Sequence, residues 1–146
     1  MGFMTPPDVA SPKLAKLRAK GHKLIVYHGQ CDGVVSVNDT IHWYENLSHN
    51  NAGNASSFAR LYVVPGMNHC SGGPTTDAFD LLTAMTDWVE QHKAPDRLVA
   101  SVSPGNAELP AGWSKSRTRP LCNWPLVARY QGGDPESAGS FVCAKP

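Results

Sequence analysis

The sequence predicts an α/β fold in which a parallel sheet is flanked by helices. Two short, uninterrupted apolar runs are typical of strands buried on both faces, and segments with apolar residues at helical spacing lie between and after them. The elements alternate as strand, helix, strand, helix and short strand, which favours parallel pairing. In such sheets binding sites form at the carboxyl ends of the strands, so the residues that follow each strand are the first candidates for function.

The first part of the chain predicts a short helix, a strand and a second helix. The basic stretch 13–20 ends at Gly21, a residue that commonly stops helices. The run 23–28 is apolar and β-branched, as expected of a buried strand. Asn38 or Asp39 is the predicted cap of the following helix. The apolar positions of this helix are Ile41, Tyr44 and Leu47.

The next part predicts a second strand over 58–64, which ends at a Pro-Gly pair. Thr76 or Asp77 is the predicted cap of a helix that reaches about His92. A last short strand is expected over 97–102. The apolar positions of the third helix are Phe79, Leu81, Leu82, Met85, Trp88 and Val89.

Residues 104–146 are rich in Pro, Gly and Ser and predict an irregular tail that packs on the α/β portion, residues 1–103. This tail contains Cys122 and Cys143, and a disulfide between them would close a loop of roughly 20 residues. The four cysteines include no Cys-x-x-Cys pair, which argues against a structural zinc site or a thioredoxin-type redox site.

The net charge and composition of the chain indicate which partners and locations to expect. The formal net charge of +1 gives no electrostatic reason to expect nucleic acid or an anionic membrane. No apolar run approaches the roughly 20 residues that a membrane-spanning helix needs. The low charge and the abundance of Asn, Ser, Gly and Pro favour an exported protein.

A carboxylate and an imidazole follow the two main strands. Asp32 lies just after the first strand and His69 just after the second, so adjacent parallel strands would bring them together. A histidine can act as the general base for a weak hydroxyl nucleophile, and a carboxylate can fix its tautomer. The sequence therefore predicts Asp32 and His69 as the acid and base of a hydrolase triad.

The nucleophile of such a triad is not found in these residues. In α/β-hydrolases the chain order is Ser, then Asp or Glu, then His, and the serine sits in a Gly-x-Ser-x-Gly turn. That pattern does not occur, and Ser11 is the only serine before Asp32. We therefore expect these residues to be the C-terminal portion of a longer protein.

Two segments resemble the tannase/feruloyl esterase family of α/β-hydrolases. Residues 23–32 are similar to its acid-bearing strand and loop, and residues 63–73, Val-Val-Pro-Gly-Met-Asn-His-Cys-Ser-Gly-Gly, are similar to its histidine loop. The tail segments 118–122 and 141–143 also resemble the family, most closely its mono(2-hydroxyethyl) terephthalate hydrolase branch. The resemblance implies the C-terminal part of an α/β-hydrolase fold.

The resemblance also implies a serine esterase that acts on aromatic carboxylic esters outside the cytoplasm, secreted or periplasmic, without a redox cofactor. It implies Asp32 as the triad acid, His69 as the base, and a disulfide from Cys70 to a cysteine directly before the nucleophilic serine. Val35 falls where the family often places a residue that lines the acyl pocket. The family's lid insertion, with its calcium site, would lie outside these residues, so none of them is assigned as a metal ligand.

Other interpretations stay open. Cys31 and Gly33 flank Asp32 where the family pattern differs, and Asp-Gly is by itself a common turn pair. Cys31 is interpreted as a free or structural cysteine and His28 as a hydrogen-bonded residue at the end of its strand. The alternatives to an esterase are a non-catalytic binding domain on a hydrolase scaffold, and one half of a split hydrolase.

Overall fold

The computed structural model describes residues 12–146, which form three α-helices, two short 3-10 helices (Ala55–Ser57 and Ala138–Ser140) and six strands. The α-helices are α1 (Ala15–Ala19), α2 (Val37–His49) and α3 (Leu81–Glu90). The strands are β1 (Leu24–Gly29), β2 (Ala59–Val64), β3 (Arg97–Ser101), β4 (Thr118–Cys122), β5 (Val127–Tyr130) and β6 (Phe141–Ala144).

Strands β1 and β2 form the predicted parallel pair. Leu24 lies opposite Ala59 at the start of the pairing, and Gly29 lies opposite Val64 at its end. The strands run in the same direction and stop together, so the loops that follow them emerge side by side. Helix α2 provides the crossover between them, as parallel pairing requires.

The remaining strands pair differently from the sequence prediction. Strand β3 is antiparallel to β4, and β5 is antiparallel to β6, so the larger parallel sheet that we expected does not form within residues 12–146. The tail is also not irregular throughout, because β4, β5 and β6 lie within it. The predicted division at residue 103 stays a prediction.

Two helices begin at residues other than those predicted. Helix α2 starts after Ser36, which has the extended backbone of an N-cap, so Asn38 and Asp39 lie inside its first turn. Helix α3 starts after Asp80, whose carboxylate accepts a hydrogen bond from the backbone N–H of Thr83. The segment before α3 is extended, because Ala78 pairs with Ser101 in an isolated antiparallel bridge.

The apolar side chains form two adjoining clusters around β2. One packs α2 against the start of β2; its buried members are Tyr44, Leu47, Ala55, Phe58, Ala59 and Leu61. The other joins the end of β2 to β3 and β4; its buried members are Tyr62, Val64, Met67, Leu98, Ala100 and Leu121. Strand β2 is thus the central strand of the core, and the tail packs directly against it.

The tail is held by one disulfide and one ion pair. Cys122 and Cys143 are bonded, with Cα atoms 5.6 Å apart. The guanidinium of Arg117 is buried, stacks on Trp113 with 3.5 Å to the ring centroid, and forms an ion pair with Glu136. The hydrogen bonds from Arg117 lower the pKa of Glu136 to about 2.

We expect that removal of the disulfide will destabilise the fold. Replacement of Cys122 and Cys143 by alanine frees a loop of 21 residues in the unfolded chain, and the free energy of unfolding should fall by about 3 kcal/mol. Urea denaturation followed by circular dichroism measures the change. Cys31→Ser, at an exposed free thiol, is the control and should leave the unfolding midpoint in place.

The Arg117–Glu136 pair should make stability depend on pH in the acidic range. The pKa of Glu136 is about 2 in the fold against an ordinary 4.5, so its contribution is full above about pH 4.5 and is lost as the pH falls towards 2. The difference in unfolding free energy between the native chain and Glu136→Gln should therefore be largest at neutral pH and shrink below pH 4. A constant difference across this range would contradict the assignment.

Candidate active site

Asp32 lies in a tight turn that follows β1, and the turn orients its carboxylate. Oδ1 accepts hydrogen bonds from the backbone N–H groups of Val34, at 2.8 Å, and Val35, at 3.0 Å. The side chain is only 4% exposed. These backbone donors, the Val35 N–H above all, and the hydrogen bond to His69 hold the pKa of Asp32 well below its usual range. Asp32 is therefore a fixed anion.

His69 lies in the loop that follows β2, residues 65–76, which we call the histidine loop. The loop is anchored at one end by Met67, which is fully buried. It passes very close to the end of β1: a Cβ atom on Gly29 would lie 2.2 Å from the carbonyl oxygen of Asn68. The backbone N–H of Cys31 also donates to the carbonyl of Met67, at 2.9 Å. Direct backbone contact thus joins the two loops.

The structure brings the two predicted residues together. Nδ1 of His69 lies 2.7 Å from Oδ2 of Asp32. Since an ionised carboxylate only accepts, Nδ1 carries the proton and donates it. The other nitrogen, Nε2, then bears the lone pair, and no hydrogen bond joins it to any residue of 12–146. The imidazole is 52% exposed, so Nε2 is available to a reactant from outside.

His28 is a second imidazole on the same carboxylate, a contact that the sequence reasoning did not predict. Its Nε2 lies 3.2 Å from the carbonyl oxygen of Val35 and 3.2 Å from Oδ2 of Asp32. Both neighbours are acceptors, so Nε2 carries the proton and Nδ1 accepts from the hydroxyl of Thr40, at 2.7 Å. Because Nε2 is committed to these acceptors, His28 supports Asp32 and is not placed to act as a base.

Val35 lies beside the pair, on the edge of a shallow depression of about 330 Å³. Its side chain is exposed, although its backbone N–H is bonded to Asp32. The residues that line the depression are Tyr27, His28, Gly29, Asp32, Val35, Met67, His69 and Cys70. An apolar side chain, Val35, therefore lines the same depression as His69.

Both remaining cysteines lie in these loops, and both are exposed free thiols. Cys70 adopts a left-handed backbone, φ 67°, directly after His69. Such a conformation is uncommon for a residue with a side chain, and it turns the histidine loop sharply at this point.

Asp77 was predicted as a helix cap, and this prediction is wrong. Its carboxylate instead accepts hydrogen bonds from the backbone N–H of Gly72, at 2.9 Å, and of Ser103, at 3.2 Å. Partial burial raises the pKa of Asp77, but these bonds outweigh it, so the pKa lies below its usual value. Asp77 thus ties the histidine loop to the segment after β3. A sequence gives little sign of such a contact, because an acidic residue shortly before a helix is equally typical of a cap.

In the described part of the chain, no group of three or more His, Cys, Asp and Glu side chains is arranged to hold a metal ion. Across residues 12–146 no helix combines the length and apolar character needed to cross a bilayer.

Comparison with known proteins gives a consistent result. A family model described as tannase and feruloyl esterase matches residues 3–144. A mono(2-hydroxyethyl) terephthalate hydrolase from Piscinibacter sakaiensis is 49% identical over 138 residues, covering 93% of this chain and 22% of the relative. A probable feruloyl esterase from Arthroderma benhamiae is 35% identical over 140 residues, covering 93% of this chain and 25% of the relative. The chain thus spans about a quarter of the length of these relatives.

Solved structures agree on the fold. The chain superposes on feruloyl esterase B from Aspergillus oryzae with a TM-score of 0.73 and 25% identity, covering 90% of this chain and 28% of that one. A second esterase from Aspergillus oryzae gives a TM-score of 0.75 at 23% identity, covering 90% of this chain and 29% of that one. The fold of this chain is therefore one found in esterases.

The tautomer of His69 should depend on Asp32. In Asp32→Asn the new amide can donate to Nδ1, so the ring proton should move to Nε2. Ring ¹⁵N chemical shifts of a ¹⁵N-labelled chain distinguish the two tautomers. Asp39→Asn, an exposed carboxylate in the first turn of α2, is the matched control. An unchanged ring pattern in Asp32→Asn would mean that the 2.7 Å contact does not set the tautomer.

Proposed function

The chain belongs to the tannase and feruloyl esterase family, and on that premise we propose that it supplies the acid, Asp32, and the base, His69, of a serine carboxylesterase. The observation that carries this proposal is the 2.7 Å hydrogen bond from Nδ1 of His69 to the buried carboxylate of Asp32, which leaves Nε2 free and exposed. The nucleophilic serine would come from outside the 146-residue chain, because no Gly-x-Ser-x-Gly turn occurs within it.

In the proposed reaction, Nε2 of His69 takes the proton of the serine hydroxyl as its oxygen attacks the ester carbonyl. The imidazolium that forms is stabilised by the anionic Asp32, and His69 then gives the proton to the departing alcohol. An acyl-enzyme remains. Water, deprotonated by the same nitrogen, then attacks the acyl carbon. The bond from that carbon to the serine oxygen breaks, and His69 returns the proton to the serine oxygen, which releases the carboxylic acid and the free serine. These steps conserve atoms and charge and require no redox cofactor.

The fold supports an assignment of β1 and β2 as neighbouring strands of an α/β-hydrolase sheet. Their parallel pairing, and the position of Asp32 and His69 directly after them, match the rule that sites form at the carboxyl ends of parallel strands. We place 1–103 in the catalytic domain, with 104–146 as a tail that packs on it. The larger sheet would be completed by residues outside this chain.

For the substrate we propose an aromatic carboxylic ester. The matched relatives are named for feruloyl esters and for mono(2-hydroxyethyl) terephthalate, both of which carry an aromatic acyl group. The depression beside His69 adds Val35 and Tyr27 as exposed apolar lining that an aromatic acid could contact. The Cys122–Cys143 disulfide supports a secreted or periplasmic location, since disulfides persist in oxidising compartments.

We further propose that Cys70 forms a disulfide with a cysteine directly before the nucleophilic serine.

The proposal predicts the behaviour of two preparations. The isolated 146-residue chain should not turn over p-nitrophenyl or feruloyl esters, whereas a longer product that includes the preceding coding sequence should. In the longer product Asp32→Asn should lower kcat by about 10⁴-fold, because the wrong tautomer of His69 is then favoured. His69→Gln should be at least as severe, and Asp39→Asn should retain activity.

Two results would contradict the proposed function. Turnover by the isolated chain that Asp32→Ala and His69→Ala both abolish would show that the nucleophile lies within these residues. A longer product with no esterase activity, but with specific binding of aromatic esters, would favour a binding domain on a hydrolase scaffold.

A further inference from the structure

We propose that Glu108 is a positioning residue for His69, and that the segment 103–108 of the tail forms part of the catalytic apparatus. This inference rests on the proposed function for its catalytic meaning. The contacts that suggest it are independent of that function. Glu108 follows a Pro-Gly turn far from the histidine loop in sequence, and it lies outside both strands and helices.

Glu108 contacts the histidine loop at two points. Its Oε2 accepts a hydrogen bond from the backbone N–H of Gly73, at 2.6 Å. Both carboxylate oxygens also lie near Nδ2 of Asn68, at 3.4 Å and 3.3 Å. Asn68 is the residue directly before His69, and Gly73 is where the loop turns back towards the core. One carboxylate therefore joins the two ends of the segment that contains the imidazole.

Asn106 completes the contact. Its side-chain amide donates to the carbonyl of Gly73, at 3.0 Å, and its Oδ1 accepts from the backbone N–H of Glu108, at 2.9 Å. The backbone N–H and the carbonyl of Gly73 are thus both hydrogen-bonded to the segment 103–108. A side chain at this position would not fit, because a Cβ atom on Gly73 would lie 2.2 Å from the carbonyl oxygen of Gly66. The packing at Gly73 is as close as it is at Gly29.

These bonds add to two others in this part of the loop: the backbone N–H of Asn68 donates to the carbonyl of Gly72, at 3.0 Å, and the N–H of Gly72 donates to Asp77, at 2.9 Å. Met67 before it and Thr75 after it are buried, but His69, Cys70 and Ser71 are exposed. No apolar packing therefore fixes the backbone next to the imidazole. Hydrogen bonds to an ionised carboxylate are roughly twice as strong as those between neutral groups. The carboxylate of Glu108 can therefore hold the backbone beside the imidazole in position. Its own side chain is exposed and contributes nothing to the apolar core.

The position of these contacts indicates how the loss of Glu108 would change catalysis. His69 must keep Nδ1 on Asp32 while Nε2 stays at a fixed point for proton transfer. Loss of the Glu108 contacts would let the segment 68–73 move, so the imidazole would occupy its productive position for less of the time. A displacement of about 1 Å at a reacting group can cost on the order of 100-fold in rate. Tyr27 and Val35, the exposed apolar side chains of the depression, lie outside this segment, so kcat would fall more than KM would rise.

The test compares Glu108→Ala, Glu108→Gln and a control, Glu90→Ala, at an exposed position of α3. In the ¹⁵N-labelled 146-residue chain, Glu108→Ala should speed hydrogen exchange of the Gly73 amide by at least about tenfold and should broaden or shift the ring ¹⁵N signals of His69. Glu108→Gln retains a carbonyl acceptor for Gly73 and should restore most of both properties. Glu90→Ala should change neither, and circular dichroism should show that all three variants are folded.

Kinetics of the longer, esterase-active product form the second arm. Glu108→Ala should lower kcat by roughly 10- to 100-fold with KM within about twofold, and Glu108→Gln should recover most of kcat. Unchanged Gly73 exchange and His69 ring signals in Glu108→Ala would overturn the inference, as would an unchanged kcat in a product that Asp32→Asn inactivates. A product whose ester hydrolysis is insensitive to Asp32→Asn would overturn the proposed function instead.

Discussion

The close approach of β1 to the histidine loop is the constraint on which the site depends. At Gly29 the backbone of one loop lies against the carbonyls of the other, with no room for a side chain between them. The backbone N–H of Cys31 then donates a hydrogen bond to the carbonyl of Met67, so the two chain segments remain in contact where they leave the sheet edge. A glycine at this position is what allows an acidic turn and an imidazole-bearing loop to share one small volume. Parallel pairing alone would leave them farther apart.

Within that volume a single carboxylate, that of Asp32, contacts polar groups of both loops. Oδ1 of Asp32 takes two backbone N–H groups and Oδ2 takes two imidazoles, those of His69 and His28. Each oxygen is therefore oriented, and the anion is stabilised mainly by dipoles that are part of the backbone. Such preorganised donors need not rearrange during a reaction. The partner imidazole remains largely exposed, which is what a group that exchanges protons with an incoming reactant requires.

Part of this arrangement could be predicted from the sequence. The apolar runs identified β1 and β2, and the topology of adjacent parallel strands placed Asp32 and His69 at the same edge of the sheet. The tail strands were missed because β4 contains Pro120 and β5 and β6 are only four residues long, so their pairing depends on distant partners and on the disulfide. The contact of His28 with Asp32 and the contacts of Glu108 with the histidine loop were not predicted, for a different reason. Contacts between irregular loops have no periodicity, and a lone Glu in a turn looks like any other solvated charge.

The order in which these contacts occur along the chain has a consequence for synthesis. Strands β1 and β2 and both residues of the Asp32–His69 contact have been made once residue 69 is added. Three residues that hydrogen-bond to the histidine loop or to Asp77, namely Ser103, Asn106 and Glu108, come more than thirty positions later. On a ribosome, where domains form from the N-terminal side as the chain emerges, the histidine loop stays without its second set of anchors until that later segment has left the exit tunnel. Strand β4, which packs against the end of β2 in the core, is made later still. A nascent chain therefore completes its core only after the residues that anchor the histidine loop have been made.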